Sequence, residues 1–170
     1  VLPEGPFVGI HLRTGSDWKN ACKHVEEEGS QQLFSSPQCI GYNNEYKLTD
    51  DLCWPTKKAI AKKTRDMVKQ YKANSVFIAT DNDPYTTVIE KELKTLKNPV
   101  TIHRRENPRD QDGPIIDLAI LTKSKVFIGN CVSSFSAFVK RTRDVEGKAS
   151  GFWSFDPKTS PKTKPSRTDL

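Results

Sequence analysis

The sequence predicts an α/β domain, a parallel sheet with helices packed on both faces. Three observations carry this. Short β-rich runs (PFVGIHL, SVFIAT, VTIH and KVFIG) alternate along the chain with segments of helical period. Most of these runs are apolar on both faces, as strands covered on both sides must be. The length of 170 residues, with 35% hydrophobic and 28% charged residues, suits one globular domain and has no apolar run long enough to cross a membrane.

The elements follow in order. Pro6 to Leu12 reads as a first buried strand, ending in a polar turn from Arg13 to Asp17 in which Gly15 can take positive φ. A short helix follows over Trp18 to Glu28. Gly29 to Trp54 is irregular, rich in Ser, Gln, Asn and Gly, and loops this long are usually functional or cross-linked. From Thr56, Ile60, Thr64, Met67, Val68 and Tyr71 recur at helical spacing, with Pro55 just before the start. Ser75 to Thr80 is a second strand. Asp83 and Pro84 read as N-cap and first position of a helix whose apolar stripe is Val88, Ile89, Leu93 and Leu96, stopped at Asn98-Pro99. Val100 to His103 is a third strand, and 104 to 113 a charged loop. Ile115 to Thr122 is a short apolar helix, Lys125 to Gly129 a fourth strand, and Ser134 to Arg143 a helix burying Phe135, Phe138 and Val139. Phe152 to Phe155 closes the domain as an edge strand, and there is no internal repeat.

The net charge is +6 with Lys and Arg numbering 27 against 21 acidic residues. A basic balance favours anionic partners. Four basic and two acidic residues fall in the Pro- and Lys-rich stretch from Asp156 to Leu170, and Lys57, Lys58, Lys62 and Lys63 share one helix as a solvated face. The aromatics fall inside strands and helix stripes, so a nucleic-acid groove, which needs them interleaved with Lys or Arg on one surface, ranks last. No metal site is expected: C-x-x-C, H-E-x-x-H and EF-hand patterns are absent, and the pairs Asp50/Asp51, Asp81/Asp83 and Asp110/Asp112 resemble loop and cap usage. No G-x-S-x-G elbow, Walker A or G-x-G-x-x-G sequence occurs.

In an open parallel sheet, ligands sit outside the carboxyl ends of the strands. The residues there are His11, Arg13 and Asp17; Thr80, Asp81 and Asp83; His103, Arg104 and Arg105; and Asn130, Ser133 and Ser134. GNCVSSF is the most informative turn, since free N–H groups at a helix start plus two hydroxyls make an anion site. The competing reading is a plain N-cap. His11 and Arg13, two apart in a strand, can point together at one ligand; otherwise Arg13 pairs with Asp17 and His11 bonds to backbone. His24 and His103 read as surface or packing residues.

FVGIHLRTGSDWKNACKH, VFIATDND and FIGNCVSSFSAFVKRTRD resemble the protein O-fucosyltransferase family, over about Pro6 to Phe155. The family's enzymes have a GT-B fold of two Rossmann-like domains, and this chain resembles the C-terminal one, which carries most of the GDP-fucose site. The resemblance implies an inverting transferase moving fucose from GDP-fucose to Ser/Thr hydroxyls of EGF-like repeats, as in Notch-type proteins, with no cofactor and acting as a monomer. It implies that Arg13 contacts the β-phosphate and the bond to fucose, and that His11 contacts the nucleotide. Leu12 comes with them in HLR. Asp117 is implied to bind guanine, and Ser133, Ser134 and Phe135 the diphosphate and nucleoside; Asp81 joins them on the same rim.

The domain is then 1–155, a Rossmann-like GDP-fucose-binding unit, followed by a flexible tail at 156–170. The chain opens on Val1 with no signal-peptide pattern and reads as a fragment of such an enzyme. It ends in RTDL, close enough to KDEL for retrieval to the endoplasmic reticulum lumen. Four cysteines in a lumenal chain should pair, with three connectivities open from the residues themselves. The family pattern implies Cys22–Cys53 and Cys39–Cys131. The alternative to an enzyme is a Rossmann-like module that binds nucleotide or protein without chemistry.

Overall fold

The computed structural model describes residues 2–27, 32–105 and 111–163. The elements in chain order are β1 (Phe7–Leu12), α1 (Ser16–Glu27), α2 (Pro37–Ile40), α3 (Asp50–Cys53), α4 (Lys57–Tyr71), β2 (Ser75–Thr80), α5 (Thr86–Leu93), β3 (Thr101–His103), α6 (Gly113–Lys123), β4 (Val126–Gly129), α7 (Ser134–Val145) and β5 (Ser150–Phe152). The five strands are all parallel, in the order β3-β2-β1-β4-β5. Val8 lies opposite Val76 and Val126, and Ile10 opposite Ile78 and Ile128.

Alternation along the strands builds the two faces. Val8, Ile10, Leu12, Val76, Ile78, Val126 and Ile128 pack against Ile60, Ala61 and Val68 of α4 and Ile89 and Leu93 of α5. Phe7, Phe77, Ala79 and Phe127 face the other way, onto Ile120 and Leu121 of α6 and Val139 of α7. On that second face β4 and α7 run close together: a Cβ on Gly129 would stand 2.6 Å from Ser136 Oγ. A third cluster joins α1, α2 and α3 to Cys131 and Val132 after β4.

The order in which strands are added reverses between β1 and β4: β2 and β3 extend to one side of β1, β4 and β5 to the other. That switch point opens a crevice at the carboxyl ends of β1 and β4, where ligands bind in folds of this kind.

Several boundaries and contacts differ from the sequence expectations. Helix α5 begins at Thr86, not at Asp83-Pro84. Asp83 instead accepts the Tyr85 N–H at 2.9 Å, a local turn that puts Tyr85 at φ 51° and delays the helix. Phe138, expected in the core, is 60% exposed, whereas Arg143 near the end of α7 is fully buried. The Arg143 guanidinium donates to the carbonyls of Thr122 (2.9 Å), Ser124 (2.7 Å) and Ala149 (2.7 Å), tying the end of α6 to the starts of β4 and β5. Burial pulls its pKa below the ordinary arginine value. The last strand is Ser150–Phe152 rather than 152–155. Strand β3 lies at the sheet edge with Thr101 and His103 exposed, so it lacks the two apolar faces of its neighbours. Part of the expected flexible tail is tied down: Lys47 donates to the Pro161 carbonyl (2.9 Å) and Thr163 to that of Glu45 (3.1 Å), with Tyr46 and Lys162 bridged antiparallel. The RTDL end, Asp110, Glu28 and the His24 side chain lie outside what is described.

Candidate functional site

A cavity of about 600 Å³ opens at the switch point, lined by His11, Arg13, Trp18, Phe34, Ser35, Ser133, Ser134 and Phe135. Five of the residues singled out from sequence therefore meet there. Strand β1 delivers His11 at its end and Arg13 just beyond. The turn after β4 delivers Ser133, and the first turn of α7 delivers Ser134 and Phe135.

Arg13 is held from three sides. Its Nη1 is paired with Asp81 from the end of β2, and its Nη2 donates to Asp17 Oδ2 at 2.8 Å, four residues on. The guanidinium carbon lies 5.2 Å from the centre of the Trp18 ring. Asp81 also accepts the N–H groups of Thr14 (2.8 Å) and Gly15 (3.0 Å), so one carboxylate fixes both the arginine and the turn that carries it. Asp81 does not line the cavity; it braces Arg13 from outside. Leu12 is 1% exposed and packs in the α4/α5-side core, and it does not line the cavity.

His11 is 5% exposed, with its ring centre 4.4 Å from that of Phe135. Its Nδ1 lies 2.8 Å from Ser136 Oγ, and its carbonyl accepts from Trp153 Nε1 at 3.0 Å. Burial drives its pKa down to about 4, with Arg13 adding to the depression and Asp81 opposing it. His11 is thus a neutral imidazole at physiological pH.

Ser133 caps α7: its Oγ accepts from Ser136 N, at 3.5 Å. Capping and anion binding are compatible, because the first helical N–H groups of Ser134 and Phe135 have no intrahelical acceptor. Gln38 of α2 grips the same turn, donating to the carbonyls of Cys131 (2.6 Å) and Ser133 (3.3 Å). Asn130 completes it, donating to the Cys53 carbonyl and accepting from Val132 N. Two disulfides, Cys22–Cys53 and Cys39–Cys131, join α1 to α3 and α2 to this turn.

Asp117 sits elsewhere. It lines a smaller cavity of about 120 Å³ with Ile78, Thr80, Asn82, Arg104 and Arg105. The two cavities share no lining residue. Asp117 is buried and paired with Arg105, Oδ1 accepting from Nε at 2.9 Å; burial raises its pKa and the Arg105 pairing opposes that. Among the described residues no group of three His, Cys, Asp or Glu could hold a metal ion.

Sequence reasoning missed Trp18, Phe34 and Ser35 as cavity walls. Phe34 comes from the irregular segment, is 66% exposed, stacks on Trp18 at 5.6 Å and has φ 44°, unusual for a non-glycine residue. An exposed aromatic beside a cavity gives no pattern in sequence. Ser136 was missed too, since its partner lies 125 residues away.

The comparisons with known proteins point one way. The family model for GDP-fucose protein O-fucosyltransferase matches residues 1–146. GDP-fucose protein O-fucosyltransferase 1 of Caenorhabditis elegans is 37% identical over 145 residues, covering 85% of this chain and 36% of that protein. A crystal structure of POFUT1 in complex with GDP-fucose matches with a TM-score of 0.81 and 36% identity, covering 91% of this chain and 43% of that one. A POFUT1 complex with GDP matches equally well, with a TM-score of 0.81 and the same coverage. The chain therefore spans about a third of the curated relative's length and somewhat more of the solved chains.

Proposed function

The chain belongs to the GDP-fucose protein O-fucosyltransferase family, and from that premise we propose that its cavity holds the diphosphate of GDP-fucose, as part of an inverting transferase acting on Ser/Thr hydroxyls of EGF-like repeats. The observation that carries this reading is the meeting of Arg13 with the α7 N-terminus in one crevice. Those are the groups a diphosphate requires.

In the reaction the acceptor hydroxyl oxygen bonds to the anomeric carbon of fucose while the bond from that carbon to the β-phosphate oxygen breaks. The electron pair stays on the β-phosphate oxygen of GDP, and the hydroxyl proton passes to that oxygen or to solvent water. Negative charge grows on the β-phosphate as the sugar leaves. Arg13, already fixed by Asp81, Asp17 and Trp18, meets that charge without reorganising, so it stabilises the transition state more than the ground state. Neutral His11 offers a hydrogen bond and no competing charge. No cofactor enters this scheme: the helix amides hold the diphosphate, and the directed N–H groups of Arg13 meet the charge that develops as the sugar leaves. Acceptors of Notch type, a lumenal location in the endoplasmic reticulum and a monomeric state complete the proposal; two disulfides suit an oxidising compartment.

Because the chain spans 36% of its curated relative, a module that binds GDP-sugar without transfer is the second reading. Calorimetry with GDP and GDP-fucose, followed by a transfer assay on a folded EGF-like repeat, separates them. Binding and transfer support the enzyme, binding alone supports the module, and failure to bind either nucleotide refutes both.

A further inference from the structure

Ser136 is fully buried in α7 and touches no part of the cavity, yet it is bonded to a residue that does. Its Oγ accepts the Asn130 N–H at 2.9 Å and lies 2.8 Å from His11 Nδ1. A hydroxyl has one proton to give. Among the described residues no other acceptor stands within reach of Ser136 Oγ, so that proton has His11 Nδ1 as its partner. Were Nδ1 protonated instead, the oxygen would receive two N–H groups and its own proton would be buried without an acceptor, a costly arrangement. The hydroxyl can therefore act in one sense only, as acceptor from β4 and donor to β1.

From this we propose that Ser136 is a positioning residue that locks His11 as the tautomer carrying its proton on Nε2, and so turns the imidazole into a fixed N–H donor facing the nucleotide. A neutral imidazole with Nδ1 as acceptor must carry its proton on Nε2. Nε2 has no protein partner among the described residues, and His11 lines the cavity. The ring cannot swing away, because Phe135 covers it and the His11 carbonyl is held by Trp153. The residue that a ligand would meet as a donor is thereby set by a serine buried in the helix behind it. The inference rests on the donor-site reading for its ligand, but not for the tautomer.

Nitrogen-15 NMR of the histidine-labelled chain reads the tautomer directly, without any ligand. His11 should show an unprotonated, hydrogen-bonded Nδ1 and a protonated Nε2, and Ser136→Ala should move the Nδ1 signal toward that of a bare nitrogen. A wild-type ring protonated on Nδ1 overturns the inference, whether or not GDP binds. GDP titration then tests the consequence. Ser136→Ala should weaken binding about three- to tenfold, the worth of one buried hydrogen bond, and Ser136→Thr, which keeps the hydroxyl, should recover most of it. Because Ser136→Ala also strips the acceptor from Asn130 N–H, the decisive comparison is a cycle with His11→Gln. The alanine change should cost little affinity once His11 is gone. An equal cost in both backgrounds means that Ser136 acts on the turn alone and refutes the positioning role. Wild-type chain that has the expected tautomer but binds no GDP would sink the donor-site reading while leaving the tautomer assignment supported.

Discussion

His11 makes the fold sensitive to acid in a way that can be measured against a single substitution. Its pKa is about 4 in the folded chain against 6.5 for an ordinary histidine, chiefly because the ring is buried. The unfolded chain therefore takes up a proton first. Between pH 6.5 and about 4 the unfolded state binds one more proton at this site than the folded state, so stability falls as pH drops through that window and levels off below it. The depression from 6.5 to about 4, at about 1.4 kcal/mol per pH unit, amounts to about 3 kcal/mol. The perturbation is His11→Gln, which removes the titration and keeps a polar side chain. Urea unfolding of both proteins at pH 7, 6, 5 and 4.5 gives two stability curves. The rest of the chain is common to both proteins, so the difference between the curves reports the loss of the His11 titration. The wild-type curve should drop more steeply, with the gap changing by about 3 kcal/mol across the window. Parallel curves would refute the claim that His11 is buried neutral.

Arg13→Ala should cut fucose transfer by about 10²–10³-fold while unfolding is nearly unchanged, since its partners are partly exposed; activity within a few-fold of wild type removes it from the mechanism. Asp117→Ala should weaken GDP binding and narrow the preference for GDP over ADP, because a carboxylate can accept from both guanine N–H donors; calorimetry showing an unchanged ratio would leave Asp117 a structural partner of Arg105. Arg143→Met should destabilise the fold by about 3 kcal/mol or more by stranding buried carbonyls, and Arg143→Lys should not restore it, because an ammonium cannot span acceptors on three segments; thermal melts decide both. Reducing Cys39–Cys131, whose cysteines are 92 residues apart, should cost more stability than reducing Cys22–Cys53, 31 apart, by about 1 kcal/mol in the loop-entropy picture; paired Cys→Ala variants compared by denaturation test the order.

The strands were legible because burial on both faces writes itself as an uninterrupted apolar run, and Ser75–Thr80 is found where SVFIAT placed it. Edge strands escape that rule, which is why β5 was placed at 152–155 rather than at Ser150–Phe152. The start of α5 was misread because Asp-Pro satisfies two signals at once: Asp83 caps a local turn at Tyr85 with the same hydrogen bond that would have capped a helix. Phe138 was expected in the core and is exposed, while the burial of Arg143 was not foreseen, because amphipathic spacing sees hydrophobicity and not acceptors. Three segment ends leave carbonyls that only a long fork of donors can reach, and Arg143 supplies it. At the site, strand-end position found His11, Arg13, Ser133 and Ser134, and the family resemblance added Phe135. The family resemblance implied the cysteine pairing that the structure contains. Phe34 was beyond reach, since nothing in an irregular segment tells which aromatic folds back over a rim, and Trp18, in α1, reads from sequence as an ordinary helix residue.

The way these residues are held has an electrostatic consequence. Each ligand-facing group is fixed by an element other than its own: Arg13 by Asp81 from β2, His11 by Ser136 from α7, and Ser133 by Gln38 from α2. Such cross-bracing is what a site needs if charge is to be met without rearrangement. It also means that the charge of Arg13 is already balanced by two carboxylates, Asp81 and Asp17. A resting diphosphate therefore gains little net Coulomb attraction from the arginine. Its binding must draw on the uncharged donors, the N–H groups at the start of α7 and the His11 ring. The guanidinium forks still present directed N–H bonds, whose strength rises as the β-phosphate oxygen gains charge. In this arrangement the amides and the imidazole carry ground-state affinity, while Arg13 contributes most when the bond to the sugar breaks. Loss of Arg13 should accordingly lower the transfer rate far more than it lowers affinity for GDP.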